Sequence, residues 1–309
     1  MSAFFDVVLP VFLVIIGGYV SVWRGVLSDA SADGLMRFAM KIGVPTLLFR
    51  AMSTLDLSRE FDLVLMGSYY VAATICFVLG YVGARLLFKR PAEDAVAIAF
   101  CCLFSNSMLL GVPISERAYG VDSLATNFAL ISIHSPFCYL LGITAMELIR
   151  NKGRTGTSTI KAILRAMFSN AIIIGIALGL AVNLSGLALP QAITDGVNLI
   201  AQAALPVALF GIGGILCRYR PEGDMTTVMY VVVISLIVHP VLMYSFGTWG
   251  DLRTEVLRSA VITAAMAPGI NVYVFADMYG RARRVAATSV LVATAISSIT
   301  VWGWLTILG

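Results

Sequence analysis

Apolar residues along this chain neither alternate with polar ones nor keep to a single helical stripe; they run on in long windows. Ten such windows lie at 4–22, 31–52, 62–88, 95–119, 122–149, 161–183, 191–217, 226–247, 255–279 and 283–307. A run of about 20 apolar residues is the length of helix that crosses the hydrocarbon core of a bilayer. Continuous runs also lack the two-residue alternation of a membrane β-barrel. The pattern therefore predicts an all-α polytopic membrane protein with ten transmembrane helices, and the lipid bilayer is its first partner.

Polar residues between the windows orient them. With the N-terminus outside, the inner connections hold Arg24; Arg85, Lys89 and Arg90; Arg150, Lys152, Arg154, Lys161 and Arg165; Arg218 and Arg220; and Arg281, Arg283 and Arg284. The outer side holds Arg50, Arg59, Arg117, Arg253 and Arg258, so basic residues divide 14 to 5 in favour of the inside. Positive charge is retained on the cytoplasmic side of membranes, which predicts both termini outside and, for a bacterial chain, an inner-membrane location. The N-terminal stretch has an acid, Asp6, and no basic run before its first apolar window, and so reads as a retained helix rather than a cleaved signal.

Composition agrees and excludes much else. Of 309 residues, 59% are hydrophobic and 12% charged, with a net charge of +4 and a mean hydropathy of +0.92. A soluble domain carries about 25% charge, so soluble enzymes and nucleic-acid binders fall away. The five cysteines, Cys76, Cys101, Cys102, Cys138 and Cys217, sit in or beside apolar windows and read as buried spectator thiols. No metal-ligand cluster and no cofactor motif is present, and no phosphate-binding loop.

The basic, Gly/Ser/Thr-rich stretch 150–160 lies at the middle of the chain and divides it into halves 1–149 and 161–309. A shift of 161 places Gly18 on Gly179, Gly25 on Gly186, Tyr69 on Tyr230, and Pro45 with Phe49 on Pro206 with Phe210. Five spans is an odd number, so the second half enters the membrane inverted. Inverted repeats characterise secondary transporters, which form their sites where the repeats meet near the midplane.

Two spans are interrupted at corresponding places. The fourth carries Ser105, Asn106 and Ser107, then Gly111 and Pro113; the ninth carries Pro268 and Gly269, then Asn271 and Tyr273. Proline removes an intrahelical donor, and freed backbone groups in a membrane must face protein or a water-filled cavity. Two opposed breaks would present helix N-termini and carboxamides to a solute, and positive helix ends favour an anion. The alternative is a pair of tolerated kinks, the reading given to Pro45, Pro136, Pro206 and Pro240.

The run from Asn106 through Gly111 and Pro113 to Tyr119-Gly120 resembles the fourth-helix signature of the auxin efflux carrier family. The stretch Pro268 to Tyr279 resembles that family's ninth helix, and Arg37-Phe38 with Val44-Pro45 to Phe49 fits its second. The resemblance implies two inverted five-helix repeats whose helices four and nine cross near their prolines. It also implies a scaffold and a transport domain in elevator-like motion, and a homodimer. Asn106 matches the family's carboxylate-binding asparagine. Two positions depart: Gly269 stands where plant members have Asn, with Asn271 two places on, and Glu116 stands where they tend to have Lys. The short central linker is like that of bacterial relatives associated with malonate and similar carboxylates.

Charged residues within or at the ends of spans are the remaining candidates. Lys41 lies deep in span two, as a charge for a carboxylate or a substitute for a coupling cation, or as a snorkelling side chain. Glu116 and Asp277 end the broken helices, as proton carriers or as headgroup-layer residues. His134 and His239 are the only histidines, each either a member of a proton path or a bond to a neighbouring helix. The leading function is a secondary carrier of small organic anions, driven by a proton or sodium gradient or by the anion's own gradient. A membrane-embedded enzyme and a passive channel stand as alternatives; the first lacks His-Glu-x-x-His and a Gly-x-Ser-x-Gly motif, the second a continuous polar stripe.

Overall fold

The computed structural model describes residues 4–150, 170–219 and 224–309. The linker 150–160 and the start of the sixth expected span lie almost wholly outside the described residues. Helices make up nearly all of the rest: α1 Leu9–Trp23, α2 Asp29–Phe38, α3 Val44–Thr54, α4 Leu63–Leu86, α5 Ala92–Leu103, α6 Val112–Tyr119 and α7 Leu124–Arg150 in the first half. The second half contributes α8 Ala171–Ser185, α9 Gln191–Leu216, α10 Met225–Val233, α11 His239–Trp249, α12 Thr254–Ala264, α13 Asn271–Tyr279 and α14 Arg283–Leu308.

Six helical stretches among the described residues are long and apolar enough to cross a membrane: Phe4–Trp23, Leu63–Leu86, Val121–Arg150, Gln191–Leu216, Met225–Trp249 and Arg283–Leu308. The other expected spans differ for stated reasons. Residues 29–54 are helical throughout, but their first part, α2, is polar. Residues 92–119 and 254–279 are broken in the middle. Helix α8 is apolar but short in its described part.

Helix ends are set by local chemistry. Asp62 caps α4 by accepting from Val64 N at 2.6 Å and Leu65 N at 3.0 Å. Ser28, Asn170 and Asp224 cap α2, α8 and α10 in the same way, each satisfying an amide that the helix leaves free. Gly186 and Gly280 close α8 and α13 in the left-handed conformation that glycine adopts without strain.

Four prolines have a feature in common that kinks alone do not describe. Pro10, Pro45, Pro113 and Pro240 each follow, by two residues, a five-residue π-helical turn: Phe4–Val8, Ala39–Gly43, Ser107–Gly111 and Ile234–Val238. The proline ring collides with the carbonyl four residues earlier and offers it no donor. A widened turn moves that carbonyl aside while the chain stays helical. Pro45 and Pro240 thus sit beside π-turns, whereas Pro136 and Pro206 lie within unbroken α-helix.

By packing, the helices fall into two groups. One contains α1, α2, α3, α8 and α9; the other contains α4 to α7 and α10 to α14. Glycines set the closest approaches in the first group. A Cβ on Gly18 would strike the Phe210 carbonyl of α9, and a Cβ on Gly179 would strike the Phe49 carbonyl of α3. The two contacts are exchanged versions of each other under the 161-residue shift. Small residues let membrane helices touch backbone to backbone. In the second group the Phe100 and Phe275 rings stack at 4.0 Å between centroids, joining α5 to α13, and Gly142 of α7 leaves room for Phe100.

Charged groups collect at two ends of the molecule. At one, Glu93 pairs with Arg150 at 3.2 Å and Arg281 at 2.8 Å, Arg90 pairs with Asp224 at 2.9 Å, and Arg218 pairs with Asp33. At the other, Arg117 donates to the Asp6 carbonyl, while Arg258 lies over the Tyr119 ring and donates to the Leu308 carbonyl. Asp6 and Leu308, near the two ends of the described chain, therefore lie at one face, opposite the basic one. Between the two ends, Leu13, Val71, Leu178, Leu199 and Ile299 turn outward from mid-helix, as a lipid-facing belt requires.

Candidate functional site at the crossing of two broken helices

The chain leaves α5 at Leu103 and re-enters helix at Ser107; it leaves α12 at Ala264 and re-enters helix at Asn271. Between these points the two non-helical segments run past each other in opposite directions. Ser105 and Pro268 face each other as an antiparallel bridge. Asn106 N donates to the Ala267 carbonyl at 2.7 Å, and Gly269 N donates to the Phe104 carbonyl at 3.2 Å. The two breaks satisfy each other's backbone groups, which is how non-helical chain persists away from water.

The crossing brings two helix beginnings together. On one side Leu110 N and Gly111 N both bond to the Asn106 carbonyl, leaving the amides of Ser107, Met108 and Leu109 as first-turn donors. On the other, α13 begins at Asn271. A cavity of about 30 Å³ lies at this meeting point, lined by Ser105, Asn106, Ser107, Gly269 and Asn271 together with His134, Ser135, Met40, Val44 and Ile172. It has room for about two water-sized groups. Asn106 makes no cap bond with its side chain, so its carboxamide is open to the cavity.

Neighbouring side chains hold the crossing in place. Ser105 Oγ and the buried Tyr69 hydroxyl are 3.0 Å apart, and the Tyr139 hydroxyl donates to Asn271 Oδ1 at 3.5 Å. On the far side of α6, the fully buried Asn127 donates to Ser115 Oγ at 3.1 Å and to Thr263 Oγ1 at 2.7 Å, tying α7 to both broken segments. Sequence reading passed over Tyr69, Tyr139 and Asn127. Ser105, Asn271 and Thr263, the distant partners, are 36, 132 and 136 residues away, and only a polar residue within an apolar window marked the three.

Other expected site residues lie elsewhere. Pro268 takes part in the bridge rather than lining the cavity. Gly111 packs near Met266. Pro113 and Glu116 face a separate cleft of about 770 Å³ that also contains Arg50, Arg117 and Gln202. Tyr273 packs against Tyr219 with ring centroids 5.6 Å apart. Lys41 is exposed in the π-turn before α3, with only its neighbour Met40 lining the crossing cavity. Asp277 is exposed at the end of α13 and pairs with Arg283 at 3.1 Å.

Three cavities follow the seam between the two helix groups. The 770 Å³ cleft opens near the face bearing the termini. The crossing cavity is next: Val44 and Leu109 line it, while Leu47 and Val112, three residues further along each segment, line the cleft. A third, of about 10 Å³, lies between Asn106 and Ile270 on one side and Ile212, Leu216 and Tyr219 on the other. Asn106 thus borders two of them. The ion pairs near the basic face, by contrast, join helices of the same group, Arg218 with Asp33 in one and Glu93 with Arg150 and Arg281 in the other.

Comparison with known proteins bears on what passes along such a seam. The family described as "Membrane transport protein" matches residues 3–305. The chain is 26% identical over 312 residues to a protein of Rhizobium meliloti (strain 1021) named "Putative malonate transporter", covering 99% of this chain and 96% of that one. It is 24% identical over 300 residues to "Uncharacterized transporter YfdV" of Escherichia coli (strain K12), covering 95% and 94%. It is 21% identical over 336 residues to "Auxin efflux carrier component 5" of Arabidopsis thaliana, covering 94% and 93%. With its crossed broken helices and a match over nearly its whole length, the chain belongs to the membrane transport protein family that includes the auxin efflux carriers, and is a transporter rather than an enzyme.

Proposed function

We propose that the protein is a secondary carrier of small organic anions, carboxylates such as malonate or auxin-like acids, across the cytoplasmic membrane. The observation that carries the reading is the crossing cavity, where an open carboxamide and first-turn amides converge. Amide donors and positive helix ends suit a carboxylate. The names of two relatives, "Putative malonate transporter" and "Auxin efflux carrier component 5", point to the same substrate class. Asn106, Ser105, Ser107, Gly269 and Asn271 are the binding residues in this reading, with Asn106 central.

Movement follows from the seam. The group containing α1, α2, α3, α8 and α9 acts as scaffold, and the group holding the crossing slides along it in an elevator-like step. Ion pairs confined within each group and cavities strung between them support this division. Ten crossings, in two inverted repeats, complete the proposal; the exchanged contacts of Gly18 with Phe210 and Gly179 with Phe49 support the repeat. The face bearing both termini is outside in this reading, since the opposite face holds most of the basic residues.

Purified protein in liposomes tests it. Radiolabelled malonate should enter in a saturable way, and Asn106→Ala should weaken apparent affinity about 10- to 100-fold, the loss of a hydrogen bond to a charged group. Absence of uptake across a panel of mono- and dicarboxylates would overturn the reading.

A further inference from the structure

A carboxylate in the crossing cavity would be a charge in a site of low polarity. Hydrogen bonds and helix ends offset part of that cost, and a positive side chain would offset more. Among the described residues no lysine or arginine lines the cavity; Lys41 is exposed beside it. Among the described residues the only ionisable side chain lining it is His134 of α7. Its ring lies edge-on to Phe104, two residues before Asn106, with centroids 4.8 Å apart.

We propose, on the reading that the cavity binds a carboxylate, that His134 is the proton-binding group of this carrier and that anion and proton bind together. In the empty site the imidazole is neutral, because an imidazolium buried without a counter-charge is unfavourable. A carboxylate entering the cavity supplies that counter-charge. One proton from solution then adds to the free ring nitrogen, giving an imidazolium beside a carboxylate. A monocarboxylate loaded in this way adds no net charge to the moving group.

Among the described residues the surroundings of His134 contain nothing else that takes this role. From α4 it faces Tyr69 and Tyr70, with ring centroids 5.9 and 6.5 Å away. On its own helix Cys138 Sγ lies 3.8 Å from Nδ1. From α11, His239 lies across the Tyr69 ring, 5.3 Å between centroids, and its Nε2 has no partner. His239 does not line the cavity, so it is the control residue. Phenols and thiols stay neutral near pH 7, and among the described residues no carboxylate lines the cavity.

Calorimetry of malonate binding to the full-length protein, in buffers of different ionisation enthalpy, reads the proton directly. Between about pH 7 and 8, above the range in which simple carboxylic acids titrate, binding should take up about one proton per malonate, and affinity should weaken by close to tenfold per pH unit. His134→Gln should bind malonate without proton uptake and with little pH dependence, whereas His239→Gln should keep the uptake. Malonate bound by the wild type without proton uptake, or uptake retained in His134→Gln, overturns this proposal alone. No binding of any carboxylate overturns the carboxylate reading and this one with it. If His134→Gln fails to fold, the wild-type proton count decides.

Discussion

At the residue scale, the crossing is maintained by a few polar side chains whose bonds span the molecule. Asn127 is the clearest. Its amide nitrogen serves Ser115 and Thr263, while its Oδ1 is buried without a partner. Removing the carboxamide leaves two buried hydroxyls short of a donor, so Asn127→Ala should cost about 1–3 kcal/mol. Thermal unfolding in detergent measures this; an unchanged midpoint would show that the bonds hold nothing. Several candidates named from the sequence are resolved at the same scale. Ser105, Asn106, Ser107, Gly269 and Asn271 converge on one cavity, and all of them flank a break. Asp277, chosen for its charge at the end of a span, lies in an exposed ion pair. Charge within or near an apolar window marks a residue as costly, but it does not say which way the side chain turns.

At the element scale, breaks and close approaches determine the arrangement. Proline and glycine in the fourth and ninth spans made the interruptions legible, because each removes a donor or loosens the helix. That the interrupted segments pair with each other through Asn106 N and Gly269 N was legible only as an implication of family resemblance. The same holds for the π-turns: proline was visible, the widened turn before it was not. Gly18 and Gly179 test the repeat as packing. A leucine at either would force a side chain into a backbone carbonyl, and overpacking of this kind costs about 1–3 kcal/mol or more. Gly18→Leu and Gly179→Leu should therefore lower the unfolding midpoint by similar amounts. A large loss in one and none in the other would separate the two contacts.

For the whole molecule, the two charged faces make predictions about sidedness and pH. Val26 lies in the turn after α1 near the basic face, and Val121 lies beside Gly120 near the other; both are exposed. In a Cys217→Ser background, Val26→Cys should react with an impermeant thiol reagent only from the cytoplasm, and Val121→Cys only from outside. The reverse pattern would invert the topology. Acid should loosen the basic face. Hydrogen bonds from the Thr227 side chain and amide, with others from Arg90 and the Thr226 amide, hold the Asp224 carboxyl down at about 2. A depressed carboxyl stabilises the fold above its unfolded value, near 4, and that contribution is lost as pH falls through the folded value. The unfolding midpoint should therefore be insensitive to this group from pH 7 to about 5 and fall between about 4 and 2. Asp224→Asn should lower the midpoint at neutral pH and flatten that acid limb.

The sequence by itself determined the solvent, the class and the places of weakness. Apolar windows of bilayer length leave helices as the secondary structure, basic residues sort to particular connections, and proline with glycine marks where two spans cannot continue. These are local properties, set by composition and spacing within a few turns. Tertiary structure decided what the weak places meet. It paired Ser105 with Pro268, placed His134 rather than Lys41 at the cavity, and divided the helices along a seam. The physical reason is that a buried polar group without a partner is costly in a membrane protein, and in an apolar chain many side chains and several windows could supply one. Which of them does so depends on close helix approaches at positions such as Gly18 and Gly179, whose partners are about 190 and 130 residues away.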